Sequence, residues 1–129
     1  MKHLVLLIAL SVLTLSWPAG ASMTRNLGAE ETLQLLQRKS NVYLLDVRTP
    51  AEFWQARLRG AKLIPIDQLA VRIEEIPKNR PIIVYCAVGS RSAQVVHYLT
   101  RKGYPEVYNM SGGIYSWAAR GYPVLQGGP

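Results

Sequence analysis

The segment most informative about the fold is Ile82-Ile83-Val84-Tyr85-Cys86-Ala87-Val88-Gly89-Ser90-Arg91, in a chain of 129 residues. Its first four residues are apolar or aromatic, and three of them are β-branched, which predicts a strand that is covered on both faces. Apolar residues recur at helical spacing over 92–102, and Gly103 supplies a helix stop. The sequence therefore predicts a strand, then a six-residue loop that begins with Cys86, then a helix.

Strands and helices alternate on both sides of this unit. Strands are predicted over residues 23–27, 42–45, 61–66, 82–85 and 106–109, and helices over residues 29–39, 52–58, 67–76, 92–102 and 114–120. The second helix is predicted to start with Thr49 as its cap and Pro50 at the first helical position. This alternation predicts one α/β domain with a mostly parallel sheet and helices on both faces. Ligands bind beyond the carboxyl ends of the strands in such sheets, which is where Cys86 falls.

The first 21 residues differ in composition from the rest of the chain. Lys2 and His3 precede an apolar run over 4–15, and Ala19-Gly20-Ala21 forms a small-residue site of the kind that signal peptidase cleaves. The run is shorter than the roughly 20 residues that a membrane-spanning helix needs. We expect a signal peptide over 1–21, cleavage after Ala21, and a domain over 22–129 in the periplasm, without membrane insertion after cleavage. An uncleaved anchor is the alternative.

The charge balance is basic, with 15 Lys and Arg against 8 Asp and Glu and a net charge of +7. The basic residues are scattered along the sequence, so the field favours small anions or acidic surfaces, or reflects solubility alone. Zinc-ligand spacings, basic tracts and nucleotide-binding glycine patterns are absent from the sequence. Metal, nucleic-acid and nucleotide functions therefore have no positive support.

Cys86 is the single cysteine of a chain that is expected to be exported. Exported proteins commonly pair their cysteines in disulfides, but a single cysteine has no partner within its own chain. It is therefore either an inert buried residue or a thiol that is kept for chemistry.

The loop favours the reactive thiol. A loop between a strand and the start of a helix directs several backbone N–H groups, here those of residues 87–91, into one anion-binding concavity. Gly89 permits a positive φ, and the small side chains of Ala87 and Ser90 are expected to leave the sulfur accessible. These donors and the Arg91 guanidinium are expected to lower the thiol pKa, which makes Cys86 a nucleophile. Arg91 either binds an anionic substrate or forms a structural ion pair.

Asp46 and Arg48 follow another predicted strand and are expected to be structural. Arg48 is expected to pair with Glu52, and Asp46 is expected to accept hydrogen bonds from nearby loop amides.

The chain resembles the single-domain rhodaneses, the thiosulfate sulfurtransferase family, in a series of landmarks that follow the family's order. These are Leu44-Leu45-Asp46-Val47-Arg48, Pro50-x-Glu52-Phe53, Gly60-Ala61-x-x-Ile64-Pro65, Tyr85-Cys86-x-x-Gly89-x-Arg91-Ser92, Gly103-Tyr104 and Gly112-Gly113-x-x-x-Trp117. The resemblance implies a three-layer sandwich with a mainly parallel five-stranded sheet. It also implies that Cys86 carries a persulfide between an anionic donor such as thiosulfate and an acceptor such as cyanide or a thiol. The residues implied to bind the substrate are Ala87, Val88, Gly89, Ser90 and Arg91, without a metal or cofactor.

Other functions remain as alternatives. Four residues separate Cys86 from Arg91, whereas the related cysteine phosphatases have five, which widens their loop for a tetrahedral phosphate. Phosphatase chemistry is therefore the weaker enzymatic interpretation. A persulfide carrier with little turnover of its own, and a purely structural domain, are the non-enzymatic alternatives. One departure from the family pattern is Arg57, which stands where a histidine is usual and adds local positive charge.

Overall fold

A computed structural model describes residues 23–128 and shows a sheet of five parallel strands. The strands are β1 (Met23–Leu27), β2 (Tyr43–Asp46), β3 (Lys62–Leu63), β4 (Ile82–Tyr85) and β5 (Glu106–Met110). Their order across the sheet is β1-β5-β4-β2-β3. The predicted five-stranded sheet is confirmed, and its central strand is β4. The signal peptide predicted over 1–21 lies outside the described residues and stays a prediction.

Helices cover both faces of the sheet, as expected from the alternation of elements. They are α1 (Ala29–Arg38), α2 (Pro50–Gln55), α3 (Ser90–Arg101) and α4 (Gly113–Ala119). One core lies between the sheet and α3, where Val84 packs with Val95 and Leu99. The other core lies under α1 and α4, where Ile83 packs with Trp117. Within residues 23–128, no helix has the length and apolar character needed to cross a bilayer.

The helix after the Cys86 loop begins earlier than predicted. It starts at Ser90 rather than at residue 92, because Gly89 takes the N-cap position with φ 102°. Arg91 therefore lies in the first turn of α3 and not in the loop before it. The helix ends next to Gly103, whose φ of 87° confirms the predicted stop.

The helix predicted over 67–76 is wrong. Two 3-10 turns, Ile66–Gln68 and Ile73–Glu75, occupy this segment instead. Leu69 and Ile76 are both buried and fasten the two ends of the segment to the core, while Val71 between them is 88% exposed. Pro77 restricts the residue before it to an extended conformation, so a helix cannot continue to Ile76.

The second helix begins at Pro50, the predicted first helical position, but ends at Gln55 rather than at Leu58. Thr49 is its N-cap as expected, and its Oγ1 accepts the Glu52 N–H at 3.2 Å. The helix stops because Arg57 forms an antiparallel bridge with Leu125, which needs extended backbone. The strand predicted over 61–66 is likewise reduced to the two residues of β3.

The start of α4 packs against the loop that follows β4. Ile114 N–H donates to the Cys86 carbonyl at 3.0 Å, and Tyr115 N–H donates to the Ala87 carbonyl at 3.1 Å. Gly113 makes this contact possible, because a Cβ atom there would lie 2.3 Å from the Ala87 carbonyl oxygen. Its φ of 59° also lies in the left-handed region. The strand that precedes the Cys86 loop and the start of α4 therefore hold the loop in place.

We predict that Gly113→Ala destabilises the fold far more than Gly121→Ala. Both positions have positive φ, so both variants carry backbone strain of about 1–2 kcal/mol. A Cβ at Gly121 meets nothing within 4 Å, whereas a Cβ at Gly113 overlaps backbone atoms. Overpacking adds about 1–3 kcal/mol to the cost of Gly113→Ala alone. Urea unfolding of the two variants measures the difference, and equal losses would contradict the packing described for α4.

Candidate active site

Cys86 follows β4 directly, at the carboxyl end of the central strand, as the sequence predicted. Its sulfur accepts hydrogen bonds from Gly89 N–H at 3.1 Å and from Ser92 N–H at 3.4 Å. The Ser92 hydroxyl lies 3.3 Å from the same sulfur. Three polar groups from the loop and the first turn of α3 therefore surround one sulfur atom.

Gly89 sets the shape of this cradle. Its φ of 102° turns the backbone so that its own N–H points back at Cys86. Residues with a Cβ rarely adopt this backbone conformation. Its carbonyl accepts a hydrogen bond from Asn109 Nδ2 at 3.3 Å. Asn109 is a buried residue of β5, so the turn is fastened to the neighbouring strand.

The cradle lowers the pKa of the Cys86 thiol. Burial of the side chain raises this pKa, but hydrogen bonds from the Ser92 hydroxyl and from backbone N–H groups of Ser92, Gly89 and Val88 outweigh it. Each of these donors favours the thiolate over the neutral thiol. The prediction of a lowered pKa thus agrees with the geometry, and hydrogen bonds to the sulfur are the main cause. The charges of Arg91 and the Cys86 thiolate also interact, which raises the pKa of Arg91.

The sulfur is enclosed, contrary to the access expected from small neighbouring side chains. Cys86 has no exposed surface, and Ala87 is also buried. Val88 and Ser90, the other small residues of the loop, are exposed on its outer side. Reaction at the sulfur therefore requires a local movement of the loop or of the side chains around it.

Arg91 forms an ion pair with Glu52 of α2. Its two terminal nitrogens contact the two carboxylate oxygens of Glu52 at 2.9 and 3.0 Å. Hydrogen bonds from Arg91 lower the pKa of Glu52 to about 2, so the carboxylate is ionised at neutral pH. The side chains are 33% and 30% exposed. Both roles considered for Arg91 remain compatible with this arrangement, since a part-exposed pair can exchange partners.

The pairing expected between Arg48 and Glu52 is wrong. Arg48 instead pairs with Asp46, Nη2 to Oδ2 at 2.7 Å, and both side chains are almost fully buried. Its Nη2 also donates to the Ala56 carbonyl, at 2.6 Å. Glu52 is unavailable because Arg91 occupies it. Asp46 accepts the backbone N–H of Arg48 at 3.0 Å, which confirms its expected role as an acceptor for a loop amide.

Two residues that the sequence analysis did not assign to the site contribute directly to it. Ser92 places both its hydroxyl and its N–H at the sulfur, and Glu52 holds Arg91. The sequence contains a signal for Ser92, because this residue directly follows Arg91 in the landmark that begins with Tyr85-Cys86. Where a loop leads into a helix, the first turn of the helix lies next to the start of the loop, so Ser92 lies close to Cys86. No cluster of three or more His, Cys, Asp or Glu side chains able to hold a metal occurs within residues 23–128.

We predict that Ser92→Ala raises the pKa of the Cys86 thiol. The substitution removes the hydroxyl but keeps the backbone N–H, so the thiolate loses one of its donors. The ultraviolet absorbance of the thiolate, titrated against pH, measures the shift in the thiol pKa. A Cys86→Ala baseline removes the contribution of the seven tyrosines.

The matched control is Ser111→Ala. The Ser111 hydroxyl bonds to the Leu27 carbonyl at 3.3 Å and not to the sulfur, so its removal should leave the thiol titration in place. An unchanged titration in Ser92→Ala would show that the hydroxyl does not stabilise the thiolate.

Comparison with known proteins identifies the family. Residues 28–120 match the rhodanese-like domain. A sulfurtransferase of Allochromatium vinosum is 39% identical over 103 residues, which cover 80% of this chain and 96% of the relative. The thiosulfate sulfurtransferase GlpE of Tolumonas auensis is 35% identical over 96 residues, covering 74% of this chain and 90% of that protein.

Solved structures agree with the sequence relatives. The crystal structure of a rhodanese-related protein from Thermoplasma volcanium has a TM-score of 0.72 and 32% identity, and the match covers 78% of this chain and 97% of that one. The family match spans most of the chain and includes the Cys86 loop, strands β2 to β5 and α4. The chain therefore belongs to the rhodanese-like domain family.

Proposed function

We propose that this protein is an exported sulfurtransferase that moves a sulfane sulfur from a donor such as thiosulfate to a thiol or cyanide acceptor. Cys86 carries the sulfur between donor and acceptor as a persulfide. The observation that supports the proposal is the sulfur at the end of β4, surrounded by donors that lower its pKa. Relatives named as sulfurtransferases, over most of their own length, support the same chemistry.

In the first step the Cys86 thiolate attacks the outer sulfur of thiosulfate. A sulfur–sulfur bond forms to Cys86 while the sulfur–sulfur bond of thiosulfate breaks, and sulfite leaves with the electron pair of the broken bond. The total charge is unchanged, and the enzyme is left as a persulfide anion. The lowered thiol pKa serves this step, because only the thiolate is a strong nucleophile.

In the second step the acceptor attacks the outer sulfur of the persulfide. With cyanide, a carbon–sulfur bond forms while the sulfur–sulfur bond of the persulfide breaks. Thiocyanate is released and the Cys86 thiolate is regenerated, again without a change in total charge. A thiol acceptor would take the sulfur in the same way. The backbone N–H groups of residues 87–91 are proposed to hold the negative charge of the persulfide between the steps.

Arg91 is proposed to receive the anionic donor by exchanging partners. Glu52 Oε1 also accepts hydrogen bonds from Thr49 N–H at 3.2 Å and from the Thr49 hydroxyl at 3.1 Å. The carboxylate therefore keeps two donors when the guanidinium leaves it. An oxyanion with two oxygens can take the same bidentate position on Arg91 that Glu52 holds at rest.

Export is the part of the proposal that depends on the sequence alone. It rests on the basic residues, the apolar run and the small-residue site within 1–21. The periplasm is the proposed compartment of the mature domain over 22–129.

We predict that thiosulfate treatment adds the mass of one sulfur atom to the protein, located on Cys86. The persulfide is the intermediate of the proposed double displacement, so it accumulates when donor is present and acceptor is absent. Intact-protein and peptide mass spectrometry measure it. Cys86→Ser should abolish both the added mass and the formation of thiocyanate from cyanide.

The same samples separate the enzyme from its alternatives. A persulfide that forms but transfers negligibly to cyanide or to small thiols would favour the carrier and would contradict the enzymatic proposal. An absence of persulfide with every sulfane donor, together with hydrolysis of a phosphate ester, would favour phosphatase chemistry.

We predict that Glu52→Gln strengthens anion recognition at Cys86. The substitution removes the charge that neutralises Arg91, so the guanidinium becomes available to an incoming anion. The ratio of alkylation rates with iodoacetate, an anion, and iodoacetamide, which is neutral and of similar size, should rise about two- to fivefold, as expected for a part-exposed ion pair. The KM for thiosulfate should fall while kcat changes little.

The control for this prediction is Glu31→Gln. Glu31 occupies the same position in the first turn of α1, where it accepts the Gly28 N–H at 3.3 Å, far along the chain from the loop. It should leave the alkylation ratio unchanged. In an Arg91→Gln background the effect of Glu52→Gln should shrink, because the carboxylate acts through Arg91. An undiminished effect would show that Glu52 acts only through its own charge.

A further inference from the structure

A cleft of about 760 Å³ lies at the end of the sheet opposite to Cys86. Four exposed basic side chains line it, and together we call them the basic face: Arg38, Lys39, Lys78 and Arg80. The residues that surround the starts of β1, β2, β4 and β5 form its floor and rim, among them Met23, Pro81 and Pro105. The mechanism proposed for Cys86 uses none of these residues.

The positive charge of the basic face is largely uncompensated. Glu106 is the one acidic residue that lines the cleft, and it lies 3.9 Å from Lys39 Nζ. Its Oε1 also accepts a hydrogen bond from the Tyr108 hydroxyl at 2.6 Å. Four positive charges therefore face one carboxylate that already has another partner.

The other contacts of the basic face do not neutralise its positive charges. The Arg80 guanidinium lies over the Tyr43 ring at 5.4 Å, and Lys78 Nζ lies 5.2 Å from the Tyr104 ring centroid. Lys78 also donates to the Lys102 carbonyl at 3.0 Å. Rings and carbonyls orient cations without neutralising them. Lys78 and Arg80 are thus oriented while all four side chains keep their charge, which suits a surface that carries many anions.

The sequence before β1 indicates which anionic surface this is. Met23 lies at the rim of the cleft, and the apolar run over 4–15 ends eight residues before it. Eight residues span at most about 28 Å when fully extended. Wherever the apolar run engages a bilayer, the basic face is therefore tethered close to the lipid headgroups. This holds for an uncleaved anchor and, until signal peptidase acts, for a chain that is cleaved after Ala21. The cleaved domain loses this tether but keeps the basic face, so any binding by the domain alone comes from the basic face.

We propose that the basic face docks on the anionic phospholipid headgroups of a membrane surface. Each Lys or Arg near such a surface strengthens binding about fivefold, and the attraction falls within a Debye length of about 10 Å at 0.1 M salt. All strands of the sheet are parallel, so docking at their amino ends directs Cys86, at the carboxyl end, away from the bilayer. The docked protein would present its active site to the solvent. This proposal stands independently of the chemistry at Cys86.

The test is sedimentation of the domain with lipid vesicles. Residues 22–129 are a suitable sample, because every described helix and strand and both hydrophobic cores lie within residues 23–128. It should bind vesicles that contain phosphatidylglycerol, should not bind pure phosphatidylcholine vesicles, and should dissociate as the salt concentration rises. Binding to both lipids alike, or to neither, would overturn the proposal.

Two variants with the same change in net charge locate the contact. Arg80→Glu reverses a charge in the basic face and should weaken binding to phosphatidylglycerol vesicles about tenfold or more. Lys62→Glu reverses an exposed charge on the edge strand β3 and should leave binding near that of the unmodified protein. Equal weakening by both variants would show that only net charge matters and would contradict a defined face. Retention on an acidic polypeptide without binding to anionic vesicles would also contradict it.

Thermal unfolding of both variants confirms that each remains folded. The Cys86 persulfide reaction provides a second check, because it takes place at the other end of the sheet. Arg80→Glu should lose lipid binding while it keeps this reaction. Loss of both properties together would indicate a damaged fold, and Arg38→Glu, on the same face, then replaces it as the deciding variant.

Discussion

The active-site region depends on one turn of the backbone, at Gly89. Its positive φ directs its N–H back at the Cys86 sulfur and starts α3 at the next residue, which brings Ser92 onto the same sulfur. A residue with a Cβ would meet the strain of the left-handed region and the backbone of Gly112 at 3.1 Å. The low thiol pKa and the start of α3 both follow from this turn.

Two ion pairs connect the rest of the fold to that turn. The buried pair of Asp46 and Arg48 joins the end of β2 to the Ala56 carbonyl just beyond α2. The first turn of α2 in turn supplies Glu52, which holds Arg91 in the first turn of α3. The buried pair is fixed because each charge would be costly without its partner, whereas the part-exposed pair can open at small cost. The fixed pair of Asp46 and Arg48 thus supports the same helix, α2, that holds the more easily released Arg91.

The sequence was informative where local pattern and tertiary structure agree. β4 matches its predicted bounds, and the thiol after it, the glycine turn and α3 follow from residue types with strong local preferences. The segment 67–76 was predicted wrongly because burial of Leu69 and Ile76 and the restriction before Pro77 outweigh helical spacing. The partners of Arg48 and Arg91 could not be predicted. Asp46 and Glu52 both lie near Arg48 in sequence, whereas Glu52 is 39 residues from Arg91, and only the packing of α2 brings Glu52 to Arg91.

The proposed sulfur transfer through Cys86 can be measured in a single turnover. Protein treated with thiosulfate is freed of excess donor, mixed with cyanide, and assayed for thiocyanate. We expect close to one thiocyanate for each Cys86 persulfide and none from Cys86→Ser. Isolated protein that yields no thiocyanate, or an equal yield from the Cys86→Ser variant, would contradict it.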